Sequence, residues 1–92
     1  MRIIGNIDHP NFKITVFKMD NRLSVKLESG LQEQTYKFRM TNDLQNFEDV
    51  QRLIDEPFLQ EVQAVFSLMD KSKNELMHRF YPTLKEEFEE II

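Results

Sequence analysis

The chain has 92 residues, 40% of them hydrophobic and 30% charged, with a formal net charge of −4. That length makes one small domain, which buries only about 60–70% of the surface its unfolded form exposes, so its eight Phe and five Met matter as large core residues. The lack of Cys excludes disulfides, thiolate catalysis and sulfur-ligated zinc; no apolar run is long enough to span a membrane, and Met1-Arg2-Ile3-Ile4-Gly5-Asn6 turns polar too early for a signal peptide, so a cytoplasmic setting with no membrane partner is expected.

The first 40 residues alternate apolar and polar, and the pattern predicts strands over 2–7, 12–19, 22–29 and 32–40. Asp8-His9-Pro10-Asn11 makes the first turn, which would set Ile7 opposite Phe12 and Ile3 opposite Val16. Asp20-Asn21 suits a two-residue type I′ loop, pairing Val16 with Val25 and Ile14 with Leu27. Gly30 at the first central position suits a type II′ loop, pairing Val25 with Tyr36 and Leu23 with Phe38. Apolar side chains then share one face, a parity that a one-residue slip would destroy.

After Met40 the period changes to about 3.6. Asn42 and Gln45 read as a capping box for a helix carrying Leu44, Phe47, Val50, Leu53 and Ile54. Asp55-Glu56-Pro57 ends it and starts another, since Pro is tolerated in a first turn. Phe58, Val62, Val65, Phe66, Met69, Leu76, Met77 and Phe80 hold one helical face, favouring a single helix to Tyr81-Pro82, with a second start at Ser72 as the competing reading. Thr83 and Glu86 form a further capping box for a last helix bearing Leu84, Phe88 and Ile91. The expected fold is therefore α+β: a four-stranded antiparallel β-meander in the order 1-2-3-4 over residues 1–40, then two to three α-helices over 41–92 packed on one face, within one domain. The acidic last helix either closes the edge of this core or offers its apolar face to another protein.

No motif specifies chemistry. Gly5 and Gly30, the only glycines, stand too far apart for a phosphate-binding loop, and His9 and His78 have no metal-ligand spacing. Asp8-His9 reads as a turn Asp beside a surface His, with a local hydrogen bond the most it offers. Carboxylates fall on helix exteriors, where solvation is their ordinary role. No acid, base and nucleophile come together, so neither an enzyme nor a cofactor is expected. The residues carry no signature specific enough to name a family.

Charge is divided along the chain. Residues 1–40 hold seven Lys or Arg against four Asp or Glu, a net +3, and residues 41–92 hold five against twelve, a net −7. Such halves can attract each other within or between chains, or serve different partners. The outer sheet face collects Phe17, Arg22, Lys26, Lys37 and Arg39, with Arg22 opposite Arg39, Ser24 opposite Lys37, and Phe17 beside Arg2 and Ser24. Two functions fit. The first is a small non-enzymatic protein-interaction domain whose partner is another protein or a second copy, with Phe17, Met19 and Ile4 as apolar seeds. The alternative is a single-stranded nucleic-acid-binding domain, with cations for phosphates and Phe17 for stacking. An ordinary solvated face of an antiparallel sheet has the same composition.

Overall fold

The computed structural model describes residues 1–81. It contains an antiparallel sheet of β1 (Arg2–Ile7), β2 (Lys13–Met19), β3 (Arg22–Ser29) and β4 (Gln32–Arg39) in the order β1-β2-β3-β4, followed by α1 (Phe47–Leu53) and α2 (Glu56–Phe80). The fold is α+β, with an open sheet and helices packed against it. The last predicted helix, with Leu84, Phe88 and Ile91, lies outside the described residues.

Parity sets the central registers. Val16 pairs with Val25, Ile14 with Leu27, Val25 with Tyr36 and Leu23 with Phe38, as the alternation predicts. Ile14, Val16, Leu23, Val25 and Leu27 form the buried face. Removing five such side chains from water does most to hold the sheet to its cover, at about 1.5–3 kcal/mol for each fully buried residue. Gly30 takes φ 60° at the first central position, as its type II′ loop requires. The Asp20-Asn21 loop differs from expectation: positive φ falls on Asp20 (φ 53°) and not on Asn21, the sign pattern of type II′ rather than I′. Asp tolerates that region at modest cost, and the two-residue loop keeps the predicted register.

The first hairpin departs further. Ile7 pairs with Ile14, not Phe12, and Ile3 with Phe17, not Val16. Two causes act. Phe12 is buried and stacks on the His9 ring at 4.9 Å, while the Asn11 N–H donates to His9 Nδ1 at 3.1 Å, which widens the connection. The register then shifts between Ile3 and Gly5, a β-bulge that leaves Ile4 without a Cα partner. Gly5 sits opposite buried Val16, whereas Ile3 is carried to the outer face and is 59% exposed.

The first helix starts later than Asn42 predicts. Thr41 and Leu44 exchange backbone hydrogen bonds in a small turn, at 3.1 and 3.2 Å. Asn46 is the cap: its Oδ1 accepts from Asp49 N at 2.9 Å, and Asp49 Oδ2 accepts from Asn46 N in return. A capping box is thus present four residues beyond the expected one. The Asp55 side chain accepts from the Phe58 N–H at 3.0 Å and caps α2, with Pro57 in the first turn where its missing N–H costs nothing.

Val50, Leu59 and Val62 are fully or nearly buried over the sheet's inner side. A polar link joins the layers: Tyr36 Oη donates to Gln34 Oε1 at 2.6 Å, and Gln34 Nε2 donates to the Val62 carbonyl at 3.0 Å. The Tyr36 ring meets Phe58 edge-on at 5.1 Å. Gln34 is buried, and these bonds satisfy both ends of its amide.

The chain divides into two compact units, the first being Met1–Val62 and the second beginning at Gln63. α2 continues through Ser72 as a single helix. The sequence pattern predicts an apolar face buried to Phe80, but burial stops earlier. Phe66 is buried and Met69 half-buried, whereas every residue from Asp70 to Tyr81 is exposed, including Leu76, Met77 and Phe80.

Candidate interaction site on the outer sheet face

The side of the sheet away from α1 is ordered in rows that cross the strands. One row runs Ile3, Phe17, Ser24, Lys37; the next towards the β2–β3 loop runs Met19, Arg22, Arg39; the next the other way runs Asn6, Thr15, Lys26, Thr35. The farthest row, Lys13, Glu28, Glu33, carries the face's two carboxylates. Basic and apolar groups therefore share one end of the face, and the acidic groups occupy the other.

A cavity of about 350 Å³ lies over these rows. Phe17, Ser24 and Thr35 line it with Arg22, Lys26 and Lys37, and Met1, Met19 and Glu33 complete the lining. A second depression of about 300 Å³ is lined by Arg22, Lys37, Phe38 and Arg39 at the basic end. The structure thus brings the five sequence-predicted residues together in two adjoining depressions. Phe17 is half-buried, and Lys26 Nζ stands 5.9 Å from its ring centroid, within cation–π range.

The cations differ in their partners. Lys26 Nζ lies 3.6 Å from Glu28 Oε1, a partly exposed pair worth little in water. Arg22, Lys37 and Arg39 make no ion pair among the described residues. Arg22 and Arg39 are direct cross-strand partners, and Glu28 and Glu33 are another like-charged pair. Opposed like charges destabilise a sheet by a few tenths of a kcal/mol up to about 1 kcal/mol. The basic pair stands beside an apolar corner, an arrangement suited to an anion that also brings apolar groups.

Two neighbours of Phe17 differ from the sequence reading. Arg2 is not beside it, because the bulge aligns Arg2 with Lys18 and Ile3 with Phe17. Ile3 rather than Ile4 is the apolar residue exposed on β1. Gly5 inside a strand was the available signal, since a strand glycine marks a bulge or a close backbone approach, and here it marks both.

Elsewhere the chemistry is sparse. Among the described residues no three His, Asp or Glu side chains are grouped to hold a metal ion, and no helix is long and apolar enough to cross a membrane. His9 is held against Phe12, and His78 is exposed on α2. The chain matches no family model, no curated protein and no solved structure.

Proposed function

We propose that this chain is a non-enzymatic protein-interaction domain whose outer sheet face receives an acidic protein segment carrying apolar side chains. The observation that carries this reading is the cavity in which Phe17 and Ser24 lie among Arg22, Lys26 and Lys37, continuous with the Arg22–Arg39 pair. Carboxylates of a partner would relieve the repulsion between the arginines and accept bidentate hydrogen bonds from them. Apolar side chains of the same segment would cover Phe17, Met19 and Ile3.

A nucleic acid is the second reading, favoured by the same cations, but it fits less well. A base stack is worth about 1–3 kcal/mol, and Phe17 is the single ring in the cavity, with Lys26 beside its face. Micromolar binding needs about 8 kcal/mol, so phosphate contacts would have to supply the rest on a chain whose net charge is −4.

Amide chemical shifts followed during two titrations test the choice. One uses a peptide of alternating Glu and Phe, the other an oligothymidylate of similar length. The expected result is that the peptide shifts Phe17, Ser24, Lys26 and Lys37 in the wild type and not in an Arg22→Glu, Lys37→Glu, Arg39→Glu variant. Equal or stronger response to the oligothymidylate would overturn the protein-partner reading in favour of the nucleic acid.

A further inference from the structure

The outer face constrains its own occupant. Its side chains Lys13, Arg22, Lys26, Lys37 and Arg39 stand against Glu28 and Glu33, a net +3. Two such faces laid together would bring +3 against +3. A turned copy would set each arginine pair near the partner's carboxylate pair, but each face would keep its net +3 and the two would still repel. Face-to-face dimerisation is disfavoured on charge alone.

The sequence contains a segment of the opposite character. Residues 82–92 hold one Lys and four Glu, a side-chain charge of −3, interleaved with Leu84, Phe88, Ile91 and Ile92. Acidic and apolar groups alternate there, as cations and apolar groups adjoin on the sheet. We infer that the acidic C-terminal segment of a second copy docks on the outer sheet face, its glutamates toward Arg22, Lys37 and Arg39 and its apolar side chains toward Phe17, Met19 and Ile3. This rests on the proposed reading of the face as a protein-docking surface and names its partner.

Reciprocal exchange between two copies lets each face receive its partner's segment and closes as a two-fold dimer rather than a filament. Docking within one chain would instead leave the protein monomeric.

Charge exchange in full-length protein tests this. The face variant carries Arg22→Glu, Lys37→Glu and Arg39→Glu; the tail variant carries Glu86→Lys, Glu87→Lys, Glu89→Lys and Glu90→Lys. Sedimentation velocity at about 50 mM salt, where screening is weak, should show a wild-type dimer that becomes monomeric at high salt. Each variant alone should be monomeric, because its face and tail then share one sign. An equimolar mixture should restore the dimer, since both contacts become complementary again. If the face variant does not fold, Phe88→Ser in the segment, with the face unaltered, should weaken the dimer at least tenfold. A monomeric wild type, a tail variant that still dimerises, or a mixture of folded variants that stays monomeric overturns the inference. The Glu–Phe peptide titration separates the two levels: a face that binds the peptide in a monomeric protein retains its docking role without this partner, and a face that binds neither loses both.

Discussion

An ideal Cβ on Gly5 would stand 2.5 Å from Phe47 Cε1 and 2.6 Å from Cδ1. The ring of the first residue of α1 therefore rests on bare β1 backbone, opposite buried Val16. Gly5 is required for space, since its φ is not positive. Gly5→Ala should destabilise by about 1–3 kcal/mol, the usual cost of overpacking, read from the denaturant midpoint. Phe47→Leu in the same chain should recover part of that loss, giving a non-additive pair. An additive double variant would show that Phe47 does not rest there.

The bulge makes a sharper claim about Ile3. An unbulged strand would bury it, and Ile3→Ser would then cost about 2–5 kcal/mol as other large-to-small core changes do. On the outer face at 59% exposure, the expected change is within about 0.5 kcal/mol. Equilibrium unfolding of this one variant separates the two registers.

These two residues mark how far the sequence was legible. Where two-residue loops join the strands, side-chain parity decides everything, and Val16↔Val25 and Val25↔Tyr36 followed from alternation. The basic face followed as well, because Arg22, Lys26, Lys37 and Arg39 lie on β3 and β4, whose register those loops fix. The first hairpin escaped because its connection is longer and is shaped by a tertiary stack of His9 on Phe12. The start of α1 was misplaced because Asn42-x-x-Gln45 and Asn46-x-x-Asp49 both spell a cap, and only the Thr41–Leu44 turn excludes the first. Along α2 the apolar period persists beyond the point where burial ends, and periodicity alone carries no information on what covers a face.

The Gln34 link predicts an asymmetric pair of substitutions. Tyr36→Phe removes the donor to Gln34 Oε1 and leaves a buried acceptor unpaired, at an expected cost of about 1–3 kcal/mol. Gln34→Leu removes both bonds at once and fills the space with apolar atoms, while the half-buried Tyr36 hydroxyl can turn to water. It should cost less than Tyr36→Phe. The reverse order in thermal unfolding would show that the bond to Val62 dominates.

Asp49 predicts an acid dependence. The Gln45 N–H at 2.9 Å is the largest influence and holds its carboxyl below the ordinary 3.8; desolvation opposes it, and the Asn46 N–H and the Arg52 guanidinium act with Gln45. A carboxyl lowered by folding contributes stability that is complete above its unfolded value and disappears as pH falls through its folded value. The α1 cap should thus hold down to pH 3.8 and weaken below it. Carbon-detected titration of the Asp49 carboxyl should give a midpoint under 3.8, and Asp49→Asn should flatten the loss of stability in that acid range. A midpoint at or above 3.8 would contradict the capping geometry.

Arg39 separates a structural role from a docking role most directly. It stands opposite Arg22 with no ion pair among the described residues, so Arg39→Glu replaces a repulsive cross-strand pair with an attractive one. The expected gain is about 0.2–1 kcal/mol at low salt, fading near 1 M salt, where the screening length is about 3 Å. Were Arg39 present for the fold alone, this variant would simply be an improved protein. On the docking reading it should also weaken binding of the Glu–Phe peptide, by several-fold or more, because the same reversal sets a carboxylate against incoming carboxylates. Stability and binding then move in opposite directions, which is the relationship expected where a surface keeps an unfavourable charge pair for a ligand. Unfolding curves and peptide titrations on the same preparation, each at two salt concentrations, measure both. Greater stability with unchanged peptide affinity would remove Arg39 from the site and leave Arg22, Lys26 and Lys37 around Phe17 as its whole.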